Sequence, residues 1–163
     1  MINIPKRISH RGGCAYAPEN TLAAMTQAKA MGASLVEFDV MLTADHQAVI
    51  IHDDTINRTT NGKGKVAELS YQQISQYDAG SWFAKEFKGE KIPLFSDMIE
   101  CLATNQLAAN IEIKPSIGMA LPTTDETMRL IDQHWPKSLP QPLVSSFDYT
   151  CLQRARALSS DIH

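Results

Sequence analysis

Apolar and polar residues alternate most cleanly in Leu35-Val36-Glu37-Phe38-Asp39-Val40. A period of two predicts a strand over 35–40, with Val36, Phe38 and Val40 on one face and Leu35, Glu37 and Asp39 on the other. The alternation recurs over 109–114, where Ile111 and Ile113 oppose Asn110, Glu112 and Lys114 until Pro115 ends the run. Shorter runs predict strands at 7–11, at 48–52 with His52 sharing the face of Ile50, and at 143–147. Helical spacing takes over between them. One helix is expected from Pro18-Glu19-Asn20-Thr21 to about Met31, with Gly32 as its left-handed stop. Another runs from Ser96 as N-cap to about Asn105, with Met98, Ile99 and Leu102 inward. A third is expected from Thr123, where Thr123-x-x-Glu126 is a capping-box pattern, to about Trp135. The last runs from Asp148 as cap through Leu158.

Strands separated by helices build a parallel sheet, so the fold class is α/β. The rhythm lapses at about 54–93. Residues 61–65 form a Gly-rich turn cluster, and Ser70-Tyr71-Gln72-Gln73 resembles a capping box for a short helix to Tyr77. The stretch reads as an insertion folded over one end of the sheet, too poor in apolar periodicity to hold its own core. Its aromatics, Trp82, Phe83 and Phe87, fit either packing or one wall of a pocket. Residues 159–163 read as a loop leading to a further strand.

Composition narrows the partners. The chain has 163 residues, 44% of them hydrophobic and 20% charged, which fits one globular domain over 1–163. A net charge of −3 argues against nonspecific binding to nucleic acid or to an anionic membrane surface. No apolar run is long enough to span a membrane, and residues 1–7 lack the apolar core of a secretory signal. Cys14, Cys101 and Cys151 are widely spaced and odd in number, as expected for free thiols in a cytoplasmic protein.

Glu37 and Asp39, two residues apart on a strand, lie roughly 6–7 Å apart on one face. Burying two like charges at that spacing is costly unless a cation lies between them. The alternative is an edge strand whose acids are solvated. Polar groups also gather at the ends of the other strands: His10 and Arg11, His52, Glu112 and Lys114, Ser145 and Ser146. Active sites of α/β sheets form at such ends. Glu37, Asp39 and Glu112 suit a Ca²⁺ or Mg²⁺ ion with oxygen ligands. Arg11 and Lys114 suit a phosphate, and His10 and His52 suit general acid and base chemistry. The set reads as phosphodiester cleavage. His46, His134 and His163 fall in a turn, a helix end and the terminus, and receive no role. Gly62-Lys63-Gly64-Lys65 lacks the strand-to-helix context of a phosphate loop.

In order and spacing these residues resemble the glycerophosphodiester phosphodiesterases, most closely the bacterial cytosolic type. The motifs are His10-Arg11-Gly12-Gly13 with Pro18-Glu19-Asn20-Thr21, Glu37-Phe38-Asp39, His52-Asp53, Glu112-Ile113-Lys114, and Asp78-Ala79-Gly80-Ser81-Trp82 in the insertion. The resemblance implies a TIM (β/α)8 barrel hydrolysing a small glycerophosphodiester to an alcohol and glycerol 3-phosphate. It also implies a divalent cation, Mg²⁺ or Ca²⁺, on Glu37, Asp39 and Glu112. His10 and His52 are then the acid–base pair, and Arg11 and Lys114 the phosphate ligands. Such a barrel takes about 250 residues. The chain is therefore expected to stop after about the fifth strand–helix unit, and pairing of its open edges would give a homodimer. Two other readings accompany this one: a noncatalytic fragment that binds phosphodiesters, and a related barrel phosphodiesterase acting on lysophospholipids.

Overall fold

The computed structural model describes residues 4–160. Its central feature is the strand Leu35–Leu42 (β1), buried along its whole length. A strand can be apolar on both faces only where both are covered, and here they are. Preceding it, Leu22–Ala30 (α1) is capped by Thr21, whose Oγ1 accepts from the amide of Ala24 at 3.2 Å, and stops before Gly32 at φ +85. Ala48–Ile50 (β2) returns antiparallel to β1, pairing Val40 with Ile50. Ala108–Ile113 (β3) runs parallel to β1 on its other side, and Leu143–Ser145 (β4) runs parallel to β3. The four-stranded order is β2-β1-β3-β4.

Alternation sends Val36, Phe38, Val40 and Leu42 to the helix-covered face. There they meet Ala109 and Ile111 of β3 beneath α1, Phe95–Asn105 (α3) and Ala120–His134 (α4). The Phe38 and Phe95 rings pack with centroids 6.0 Å apart. Tyr149–Leu158 (α5) follows β4, and the Asp148 carboxylate accepts from the Thr150 amide at 2.8 Å, as its sequence position predicts.

The insertion departs from expectation. Ile56, Val66, Ile74, Ala79 and Ile92 close over Met41, Val49 and Ile51 and form a second small core. The core exists because β1 and β2 lend it one face, so periodicity within 54–93 was never needed. The predicted capping box there is present, with Ser70 and Gln73 exchanging hydrogen bonds ahead of Tyr71–Ile74 (α2). Trp82, Phe83 and Phe87 stack edge-to-face on one another at centroid distances of 5.7 Å.

Several boundaries also shift. Residues 7–11 make one parallel bridge, Ser9 to Val36, in place of a strand, because Arg11 and Gly12 turn the chain at φ 50 and 75. The cap of α3 is Leu94, without a side-chain bond, and α4 begins three residues before Thr123. Pro122 in the first turn of α4 is tolerated because the amide it lacks has no helical partner there. β2 ends at Ile50, and bends at 52–54 carry His52 away from the face of Ile50. β4 ends at Ser145, since Ser146 Oγ donates to Ile113 O and accepts from the Asp148 amide. Of the loop expected at 159–163, residues 161–163 lie outside the described residues.

Candidate active site

The parallel register of β1 and β3 sets Asp39 opposite Glu112, with Glu37 one pleat back on the same face. One oxygen from each of Glu37, Asp39 and Glu112 lies within 4.8 Å of the others. Asp39 is 1% exposed and Glu37 7%. Glu37 Oε2 accepts from the Arg11 amide at 2.9 Å, whereas Oε1 is buried with no hydrogen-bond partner. Burial is the largest influence on Glu37 and carries its pKa up to about 7. The Arg11 amide opposes this, and the charges of Asp39 and Glu112 add to it. A buried carboxylate oxygen without a partner, on a residue clustered with two other acids, is what a hard divalent cation satisfies. These donors fit such an ion.

Around this cluster the other predicted residues divide into two groups. His10, its side chain 64% exposed, stands at the rim with Nε2 3.8 Å from Glu37 Oε2. Arg11 lies inward, its Nε 3.5 Å from Asp39 Oδ2 and its Nη1 donating to Glu19 at 2.8 Å. Its backbone needs the glycine that follows. Gly12 donates to Glu37 O at 3.2 Å while at positive φ, and a Cβ there would meet Ala24 at 2.8 Å. On the opposite side Lys114 Nζ lies 2.6 Å from His52 Nε2, and His52 Nδ1 lies 2.8 Å from Asp53 Oδ1. An ammonium can only donate, so His52 Nε2 is the acceptor and Nδ1 carries the hydrogen given to Asp53. An open hollow of about 550 Å3 adjoins Glu112 and Lys114, flanked by Phe147 and Tyr149.

Ser145 and Ser146 join the scaffold instead. Ser145 Oγ accepts from Asn110 at 3.0 Å, and Ser146 ties β4 to the end of β3. Four residues that drew no individual role in the sequence belong to the surroundings of the acids and histidines. Asn20, itself buried, donates to Asp39 Oδ2 at 2.8 Å. Glu19 and Asp53 are joined by Arg58, which donates to both. Hydrogen bonds from Arg58, with its positive charge, hold the Asp53 carboxyl well below the usual carboxylate range. Burial works to raise Glu19, yet Arg58 and Arg11 outweigh it and leave it lowered. The signal for Asn20 was its place between the Glu19 and Thr21 of a helix opening. Arg58 gave none, because it lies in the aperiodic insertion.

Comparison with known proteins bears on the same span. A model of the glycerophosphoryl diester phosphodiesterase family matches residues 10–163, which include His10, Glu37, Asp39, His52, Glu112 and Lys114. A glycerophosphodiester phosphodiesterase of Caldanaerobacter subterraneus is 35% identical over 152 residues, covering 93% of this chain and 62% of that protein. The structure of a phosphodiesterase from Oleispira antarctica, in complex with the product sn-glycerol-3-phosphate, is similar at a TM-score of 0.95 and 41% identity. It covers 98% of this chain and 64% of that one. A glycerophosphodiester phosphodiesterase from Agrobacterium tumefaciens gives a TM-score of 0.85 at 31% identity, over 98% and 65% of the two chains. The chain thus spans a little under two thirds of the length of these relatives. Family match and backbone likeness run through the same strands that carry the acids, and the chain belongs to the glycerophosphoryl diester phosphodiesterase family.

Proposed function

We propose that this protein hydrolyses glycerophosphodiesters, glycerophosphocholine among them, to an alcohol and glycerol 3-phosphate in a cation-dependent reaction. The observation that carries the reading is the convergence of Glu37, Asp39 and Glu112, with one oxygen of each within 4.8 Å of the others, in a cluster where Glu37 Oε1 is buried and unpartnered. The product held by the Oleispira antarctica relative supports the substrate class. Glu37, Asp39 and Glu112 would hold one Mg²⁺ or Ca²⁺ ion, which when bound supplies positive charge against the phosphoryl oxygens.

The protein's own groups account for the remaining chemistry. Arg11 Nη2 has no protein partner among the described residues and is left to donate to a phosphate oxygen. Lys114, one residue past β3, brings a second positive charge from the His52 side of the acid cluster. A neighbouring hydroxyl of the substrate attacks phosphorus. His52 accepts that proton at Nε2, which Lys114 vacates as its ammonium turns to the phosphate, and the Asp53 carboxylate at Nδ1 stabilises the imidazolium that forms. His10, exposed at the rim, protonates the departing alcohol, and a water then opens the cyclic phosphodiester so formed to glycerol 3-phosphate, with the two histidines exchanging roles. In this reading the sheet is part of a TIM (β/α)8 barrel in a single domain, as the backbone likeness to the two solved relatives supports. No helix among the described residues is long and apolar enough to cross a membrane. Free thiols at Cys14, Cys101 and Cys151 suit a cytoplasmic setting.

The test is release of glycerol 3-phosphate from glycerophosphocholine with Mg²⁺ or Ca²⁺ present. The expected result is turnover that EDTA abolishes and that His52→Ala and Glu37→Ala each remove. Turnover surviving both EDTA and the substitutions overturns the reading. Calorimetric binding of glycerophosphocholine without product would instead favour a noncatalytic phosphodiester-binding role.

A further inference from the structure

Arg58 lies in the insertion, outside the residues to which the proposed reaction gives a role, yet its guanidinium uses all three nitrogens. Nε and Nη2 donate to the two oxygens of Asp53 at 2.7 and 3.0 Å, and Nη1 and Nη2 donate to the two oxygens of Glu19 at 2.8 Å each. Each carboxylate then reaches one histidine-bearing segment. Asp53 Oδ1 meets His52 Nδ1 at 2.8 Å, and Glu19 Oε1 receives Arg11 Nη1 at 2.8 Å, one residue from His10. The two segments come from different parts of the chain, and Arg58 is the one side chain among the described residues that bonds to both carboxylates.

We propose that Arg58 is a positioning residue. It locks the Asp53 carboxylate in the orientation that holds the His52 ring, and through Glu19 it sets the height of Arg11. A planar five-donor fork can satisfy two carboxylates at once, whereas a lysine ammonium in that place can bond only one of them well. Without Arg58, Asp53 is free to rotate and Glu19 to turn wholly toward Arg11. Outer groups that orient catalytic or metal-binding side chains commonly matter by about 10- to 100-fold. The inference rests on the proposed hydrolysis for its kinetic consequence, but the orientation of His52 can be read without any turnover.

The experiment therefore has two arms, both on the intact protein with Mg²⁺ present. Histidine-ring ¹H–¹⁵N NMR of the wild type is expected to show a His52 Nδ1–H held in a hydrogen bond and slow to exchange, and Arg58→Ala and Arg58→Lys are expected to shift that signal and speed its exchange at His52. In glycerophosphocholine hydrolysis, Arg58→Ala is expected to lower kcat about 10- to 100-fold, with Arg58→Lys recovering only part. In an Asp53→Asn background the same change should cost clearly less than in the wild type, the part that remains passing through Glu19 and Arg11. An unchanged His52 spectrum in the variants overturns the proposal, as do losses that multiply in the double variant. If the wild type shows no turnover, the hydrolase reading fails while the NMR arm still decides the role of Arg58. If Arg58→Ala does not fold, Arg58→Lys carries both arms.

Discussion

Replacing Glu37 by Gln should make the cation-free protein more stable at alkaline pH, although it removes a residue of the proposed active centre. Burial lifts the Glu37 pKa from its ordinary 4.5 to about 7. At about 1.4 kcal/mol per pKa unit, ionised Glu37 opposes folding by roughly 3 kcal/mol. The folded state holds this proton more tightly than the unfolded chain does. Below about pH 4.5 both states are protonated and nothing is lost, through the window from 4.5 to about 7 stability falls as pH rises, and above it the full penalty applies. A glutamine at this position is neutral throughout, and its amide oxygen can still accept the Arg11 amide hydrogen that Glu37 Oε2 takes at 2.9 Å. Urea unfolding in EDTA at about pH 5 and about pH 8 measures the difference. The wild type should lose roughly 2.5 kcal/mol relative to Glu37→Gln between the two, the rest of the penalty being already present at about pH 5. Adding Mg²⁺ or Ca²⁺ should then stabilise the wild type and leave the variant nearly unmoved. Parallel stabilities across that pH interval, or equal stabilisation of both proteins by the cation, would refute the reasoning.

Two further substitutions probe what holds the carboxylates. Asn20→Ala removes the 2.8 Å bond to Asp39 Oδ2 and puts alanine at φ 59. Cation affinity by titration calorimetry should fall about 10- to 100-fold. Gly12→Ala forces a Cβ to 2.8 Å from Ala24 at φ +75. Urea unfolding should show a loss of about 1–3 kcal/mol, with glycerophosphocholine hydrolysis falling as Arg11 shifts.

The pairs of charged residues were legible because a strand has a two-residue period. Glu37 and Asp39 share a face whatever the rest of the fold does, and so do Glu112 and Lys114. That Asp39 faces Glu112 was not legible. Register between β1 and β3 is decided by how Val36, Phe38, Ala109 and Ile111 pack beneath α3 and α4. Local chemistry misled at α4, where Thr123-x-x-Glu126 has the form of a start signal. Thr123 instead lies buried within the helix, its carbonyl accepting from Thr127 Oγ1 at 2.8 Å. The capping box at Ser70 and Gln73 was read correctly because nothing from elsewhere in the fold competes for either side chain.

The least legible part of the site is also the part that ties it together. Ile56, Val66, Ile74, Ala79 and Ile92 follow neither a two- nor a 3.6-residue spacing, because each meets a different point of the face that Met41, Val49 and Ile51 present. Once that face is covered, the turn between Ile56 and Thr60 is held by Thr60 Oγ1 donating to Ile56 O, which sets Arg58 beside Glu19 and Asp53. A sequence pattern reports what one element does alone. The placement of Arg58 depends on an apolar contact between the insertion and β1, and therefore on β1 being apolar at Met41 on the same face where it is acidic at Glu37 and Asp39. One strand face thus serves two ends: its acids form the candidate cation site, and its last apolar residue anchors the loop that orients His52.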